Sequence, residues 1–462
     1  MIAGALLAAN LHQLKIYREV ILDDIMRKSI NSYRVLLICI IIVFLSAYST
    51  YANEYNIDVW DFGAKGNGKT DDTSAFQKAL NKAGENGGVV IVPPGQYRLN
   101  GAISIPAGVA LEGSWPGPHA SQLDKGSTLL VYGGRDKEES KPFISLNTSS
   151  TLKGVTIFYP EQNVNDIHPY PWTIQGQGQN YNIIDVTIAN AYNGIDCGTF
   201  HNEGHQLRNV LMCALRRGIL IDQCTDVGRL ENVHIHNVYW WRVDAPYTLK
   251  EEEVVGLENY TREHLEGFII GRTDWEYISN CFVIWAKIGF HFLKTNTSEG
   301  GSANALITQS GSDEGPLAVK IDEVQSHAGL AFENCQFMSG FEIGPNNLGP
   351  VKLTNCGFWG FNEGEFATGS QMILDGKGTV TLTATHFNDW DWNKKNKPCI
   401  EALNGSLLMT NCDFRGFNSS QTHLYLGPDV YSASIIGNRF RQIGKKIINK
   451  SRGDIQIFGN VK

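Results

Sequence analysis

Asn209-Val210-Leu211-Met212, Asn232-Val233-His234-Ile235 and Asn280-Cys281-Phe282-Val283 are copies of one short phrase: an asparagine, then apolar residues with few interruptions. Further copies start at Asn304-Ala305, Asn334-Cys335, Asn355-Cys356, Asn411-Cys412 and Asn438-Arg439, and Asp185-Val186 stands where another would fall. Most neighbours lie about 21–30 residues apart, the period of a solenoid. A second mark precedes several of them. Gly194-Ile195, Gly218-Ile219, Gly267-Phe268 and Gly289-Phe290 each open a short apolar strand about 13–15 residues ahead of an asparagine. Two short strands per repeat, turns between them and no helix-length periodic segment predict the coils of a parallel β-helix. Equivalent positions then stack about 4.8 Å apart, so the asparagines predict a hydrogen-bonded column along the solenoid.

The repeats override what length alone suggests. A chain of 462 residues would ordinarily be two or three domains, but a solenoid grows without splitting. A net charge of −8 argues against nucleic acid as a partner. Of the nine cysteines, Cys281, Cys335, Cys356 and Cys412 share the place just after the asparagine. With no CxxC spacing they read as inward, unpaired thiols packed as small hydrophobes, not as disulfides or metal ligands. No cofactor and no metal is indicated.

At the N-terminus, Met26-Arg27-Lys28 and the apolar run over 35–47 read as a secretory signal cleaved near Ala52. Residues 1–25 do not fit a signal, and Met26 reads as the initiator; an uncleaved anchor is the alternative. The expected organisation is an extension and signal over 1–52 and a β-helix domain over 53–462, secreted to the periplasm or outside the cell. An insertion at about 240–266 carries Trp240, Trp241 and an acidic run from Glu251.

Next comes DFGAKGNGKTDDTSAFQKAL, Asp61 to Leu80. Thr70-Asp71-Asp72 predicts the start of a helix through Ala75, Phe76, Ala79 and Leu80, able to cover the open end of the solenoid. VVIVPPGQYRL, Val89 to Leu99, is a strand stopped by Pro93-Pro94-Gly95 and then resumed. Together these segments resemble the opening of the pectate-lyase-like, glycoside hydrolase family 28-related superfamily. The resemblance implies an all-β, right-handed, single-stranded parallel β-helix with an N-terminal capping helix. It also implies a protein that acts on, or binds, a polysaccharide. The family 28 hydrolase motifs do not carry over: Gly204-His205-Gln206 is the nearest approach to Gly-His-Gly, and no Arg-Ile-Lys occurs.

Counting six residues back from the asparagines gives Glu203, Asp226 and Asp274, with Thr225-Asp226 and Thr273-Asp274 sharing a dipeptide. Three successive coils are thereby expected to put a carboxylate at one place, with Asp226 central. Neighbouring backbones would be about 5 Å apart and the outer pair about 10 Å, which spans the separations that retaining and inverting glycosidases need. Asp226 is the expected proton donor and Asp274 its ionised partner. His205, Arg272, Trp275 and Tyr277 lie near these positions in the sequence as candidate substrate contacts. Trp240 and Trp241 would wall the groove from the insertion, with Tyr247. An exposed turn of Thr-Asp pairs can equally be a solvated ridge whose aspartates bond their own backbone. The reading is a glycoside hydrolase ahead of a polysaccharide lyase, with a non-catalytic binding or tailspike-like β-helix as the rival. A homo-oligomer such as a trimer is compatible with the fold but not indicated by any residue.

Overall fold

One backbone conformation recurs down the chain. Gly154, Asp185, Asn209, Asn232, Asn280, Gln309, Asn334, Asn355, Ala384, Asn411 and Gly437 all have φ between 50° and 74°. Strand register places them one above another. This left-handed region is costly for most L-residues and mildest for Gly, Asn and Asp, which is why asparagine marks the repeat. The column is hydrogen-bonded as the sequence predicts. Asn209 Nδ2 donates to Asp185 Oδ1 at 2.7 Å, Asn232 to Asn209 at 2.9 Å and Asn355 to Asn334 at 2.6 Å. Two asparagines expected in the column are not in it. Gln309 takes the place assigned to Asn304, and Gly437 the place assigned to Asn438.

The residue after each left-handed turn faces inward. Cys281, Cys335, Cys356 and Cys412 are buried free thiols, as expected. Each Sγ lies 3.3–3.5 Å from the carbonyl oxygen two residues earlier. Ser310 and Thr385 fill the same place and donate to the same carbonyl. From the Asn280 coil to the Asn411 coil the position therefore holds a small side chain that donates to a buried C=O, whereas in the earlier coils Val155, Val186, Val210 and Val233 fill it as plain hydrophobes.

This computed structural model describes residues 56–117, 122–360, 369–417, 421–441 and 446–462, with scattered helical positions between 19 and 41. Most of the expected signal lies outside the described residues. Residues 57–462 form one compact unit. Among the described residues thirty-five strands join one sheet, with parallel pairing from coil to coil. A coil such as that of Asn280 holds three strands, Thr273–Ser279, Phe282–Ile284 and Ile288–Phe292, not the two expected, because the left-handed corner splits the strand marked by asparagine. The interior is a continuous apolar column. Stacked Phe358, Phe387, Phe414 and Phe440 rings have centroids 4.7–5.1 Å apart, matching the coil spacing.

Helix α1, Thr73–Ala83, buries Ala75, Phe76, Ala79, Leu80 and Ala83 against the first strands. Its start differs from the expected cap: Asp71 accepts from Thr73, while buried Asp72 accepts from Lys65 N and Gly66 N. The insertion forms α2, Val238–Trp241, and α3, Glu251–His264. Both lie on the outside of the long strands Asn182–Cys197 and Gln206–Ile221. There Trp240, Val243 and Leu257 make a second small core with Phe158, Leu211 and Cys213.

Candidate functional site

The turn ahead of the asparagine column is where the coils differ. Asn202, Cys224 and Thr273 bridge in parallel, so the next residues, Glu203, Thr225 and Asp274, form one stack. It continues to Asn304, which pairs with Asp274, and to Gln325. Asp226 is not in the stack. The stretch from Cys224 to Arg229 holds one residue more than the paired stretch from Asn202 to Gln206. That extra residue places Thr225 between the two acids and leaves Asp226 exposed beyond it. The central carboxylate expected from the sequence is therefore a threonine hydroxyl.

Hydrogen bonds tie the stack together. Thr225 Oγ1 donates to Glu203 Oε1 at 2.7 Å and lies 2.7 Å from His201 Nε2. Asp274 Oδ2 accepts from Arg272 Nη2 at 3.1 Å, and its Oδ1 accepts from Gln325 Nε2 at 2.5 Å. Glu203 and Asp274 are two steps apart, about 10 Å between backbones at the ~4.8 Å sheet spacing.

Trp275 is a bulge. Asp274 pairs with Asn304 and Glu276 with Ala305, leaving Trp275 unpaired at φ 67°. A bulky residue at positive φ is a strained outlier, of the kind that gathers at functional sites. Its effect is to leave Asp274 partly exposed and the Trp275 ring 59% exposed, while Glu276 turns inward. Arg272, Asp274, Trp275, Asn304, Gln325 and His327 line an open cleft of ≈ 590 Å³, closed on one side by Gly300 and Gly301. Buried Asp222 holds that rim: it accepts from Arg272 N, Thr295 Oγ1 and Thr297 Oγ1 at 2.8–2.9 Å. Tyr277, two residues on, is also exposed.

His205, expected to touch substrate, is fully buried inside the solenoid and cannot. Its Nε2 lies 3.0 Å from Glu276 Oε1, and its Nδ1 2.8 Å from Asn202 Oδ1. Burial disfavours the imidazolium, but the facing Glu276 carboxylate outweighs it and holds His205 well above the ordinary histidine pKa. Cys224 completes a buried His-Cys-Glu group whose ligand atoms lie within 4.8 Å of one another. Hydrogen bonds already account for it, since Thr273 Oγ1 donates to Glu276 Oε2 and Cys224 Sγ to Asp226 O.

The aromatic residues of the insertion do not wall this cleft. Trp240 is 2% exposed within the second core. Trp241 packs on His236 and Trp285, and Tyr247 on Phe158. The strand Arg229–Ile235 separates Asp226 from α2, so the insertion sits at the far end of its coil. Sequence reasoning missed Thr225, Gln325 and His327. Counting from the preceding strand would have found two of them: Thr225, Asp274 and Gln325 each fall four residues after Ile221, Ile270 and Ile321, which are stacked.

Residues 56–225 match the family model described as rhamnogalacturonase A/epimerase, pectate lyase-like. A 49-residue stretch is 55% identical to alginate lyase 7 of Azotobacter vinelandii, covering 10% of this chain and 6% of that protein. Another, of 215 residues, is 26% identical to the probable rhamnogalacturonase A of Aspergillus oryzae, covering 45% of this chain and 41% of that one. The aligned stretches thus span well under two thirds of these relatives. A solved DFA-IIIase variant from Arthrobacter chlorophenolicus A6 superposes with a TM-score of 0.51 at 11% identity, over 87% of this chain and 99% of its own. That likeness is one of fold. The family match ends at Thr225, so Asp274 and its cleft lie beyond it.

Proposed function

We propose that this chain, which belongs with the pectate-lyase-like superfamily of parallel β-helix proteins, hydrolyses a polysaccharide laid across the Glu203–Thr225–Asp274 stack. The observation that carries this reading is Trp275. A tryptophan held at φ 67° beside a carboxylate, with its ring in solvent, offers a flat apolar face to a sugar ring. Asp274, oriented by Arg272 and Gln325, acts as the base toward water. Glu203, two coil steps away, donates the proton to the leaving oxygen. With their backbones about 10 Å apart, side chains leaning toward each other reach the wider carboxyl spacing of ~6.5–9.5 Å of an inverting arrangement, in which a water fits between sugar and base.

Arg272 favours a lyase as the second reading, because a guanidinium beside the base can neutralise a uronate carboxylate. In the same proposal the protein is exported by the signal near its N-terminus, and α1 shields the first coil's open edge. The test is a panel of pectic, alginate and neutral polysaccharides. New reducing ends without ultraviolet-absorbing products support hydrolysis. Absorbing unsaturated ends support the lyase. No cleavage of any member, with binding retained, overturns both in favour of a binding protein.

A further inference from the structure

Four later coils carry a second concentration of functional groups on a different face of the solenoid. The strands Gly357–Trp359, His386–Asn388, Asp413–Arg415 and Arg439–Phe440 pair in register. Trp359, Asn388 and Arg415 therefore stack in one outward column, which Arg441 continues. Trp359 lies three coils beyond the Asn280 coil, about 14 Å along the axis at ~4.8 Å per coil. It follows the left-handed corner, whereas Asp274 precedes it, so the two surfaces belong to different faces.

Two features stand out there. The first is aromatic. Trp359, Trp392 and Phe417 are 44%, 42% and 38% exposed. Trp392 and Phe417 stack with centroids 5.2 Å apart, and a Cβ on Gly360 would come within 2.5 Å of the Trp392 indole nitrogen, so Trp392 borders Trp359. The second is cationic. Arg439 and Arg441 both grip Asp413, each donating Nε and Nη2 over 2.5–2.9 Å. One carboxylate thus faces two guanidiniums and leaves a positive charge over. Arg415 is exposed and makes no side-chain hydrogen bond or ion pair within bonding distance among the described residues; Asp389 feels its charge but does not bond it. Beside these groups, burial lowers the pKa of His386 more than nearby Asp413 raises it. Trp359, His386, Asp413, Arg415 and Arg441 enclose ≈ 370 Å³, within the ~300–1,000 Å³ of ligand pockets. In a chain of net charge −8, an arginine fork with no hydrogen-bonded partner among the described residues, beside open tryptophan rings, is a local departure.

We propose that this surface is a second saccharide-binding site, for a sugar bearing a carboxylate or sulfate. The planar fork of Arg415, with Arg441 beside it, takes the oxyanion in two parallel hydrogen bonds. The Trp359 and Trp392 rings take the apolar face of the sugar or its neighbour. The site would hold an acidic glycan while the Asp274 cleft works on another stretch. It shares the saccharide reading of the cleft but none of its residues.

The test is calorimetric titration of the full chain carrying Asp274→Asn, which is expected to cut turnover about a hundredfold or more. The probes are an oligogalacturonate, a sulfated oligosaccharide and a neutral oligosaccharide. Binding of at least one anionic probe is expected, weakened by salt and about tenfold or more by Arg415→Ala or Trp359→Ala. Arg415→Lys, which keeps the charge but loses the fork, should fall between. Which anionic probe binds tells carboxylate from sulfate. Absence of anionic binding, binding indifferent to both substitutions, or equal binding of the neutral probe overturns the proposal. Trp275→Ala should leave this binding intact; loss there would assign it to the cleft. Cleavage by the unsubstituted protein is read separately, so either reading can fail alone.

Discussion

Two of the three turns of a coil behave oppositely. At the left-handed corner, from Gly154 to Gly437, every coil keeps register and nearly the same φ. At the turn ahead of it, the spacing to the corner is six residues from Glu203 and from Asp274, seven from Thr225 and five from Asn304 to Gln309. The corner is over-determined: one backbone conformation, one buried carbonyl to satisfy and a side-chain column to extend. The other turn must only return the chain, so it tolerates an added residue, and there an extra residue becomes the Trp275 bulge. Repetition marks what the fold requires, and departure from it marks where chemistry has room.

The largest effect is expected beneath that variable turn. His205 and Glu276 are both fully buried and face each other at 3.0 Å. His205→Ala leaves a carboxylate without its cation and should cost about 3–5 kcal/mol, read as a lowered urea midpoint. The pH dependence has a sign. Because the folded pKa of His205 is raised, its contribution is complete below the ordinary value of about 6.5 and is lost as pH rises through the folded value. The gap between wild type and His205→Gln should therefore narrow on the alkaline side. A gap that widens there would mean the imidazole is neutral in the folded protein.

Next comes catalysis. Asp274→Asn should lower turnover about a hundredfold or more, the usual scale of acid–base catalysis, without shifting the melting temperature. Asp226→Asn, outside the stack, should stay within about twofold of wild type, as surface changes away from a site usually do. The reverse outcome, with Asp226 essential and Asp274 dispensable, would mean that the turn keeps the corner's register after all.

These two residues show what was legible in the sequence. The β-helix was readable because a left-handed corner restricts side-chain choice, and the stacked cysteines were readable because that corner fixes which way they face. Asp274, Arg272 and Trp275 were found because they stay at the expected offset. Asp226 was misplaced because a constant offset cannot register one extra residue in its coil. His205 looked like a turn histidine, yet its partner Glu276 arrives from a coil 71 residues on, a contact that no local pattern announces. The tryptophans of α2 belonged to a second core because the strands beneath them are apolar on their outer face too, at Leu211, Cys213 and Leu215.

A smaller effect tests the corner itself. Asn355→Leu puts a branched apolar side chain at φ 52° and removes the 2.6 Å bond to Asn334. A cost of about 1–2 kcal/mol is expected from the backbone term, with activity unchanged once the protein is folded. A cost near zero would mean that the column is ornament and not structure.

The smallest effect runs the other way. Ala384 stands in the column at φ 50°, exposed, where its neighbours in the stack are Asn355 and Asn411. Alanine has no side-chain oxygen to bond locally and carries the full Cβ penalty of the left-handed region. Ala384→Gly removes that penalty but gives the unfolded chain about 0.4–1 kcal/mol more entropy to lose, so its net effect should be close to zero. Ala384→Asn brings a residue that tolerates the conformation without that offset, and sets an amide between two others about 4.8 Å away on either side. It should stabilise the protein by about 0.5–1 kcal/mol in denaturant melts, the size of one net hydrogen bond. If Asn at this position gains nothing over Gly, conformational preference alone explains the repeated asparagines, and their hydrogen-bonded column adds no stability.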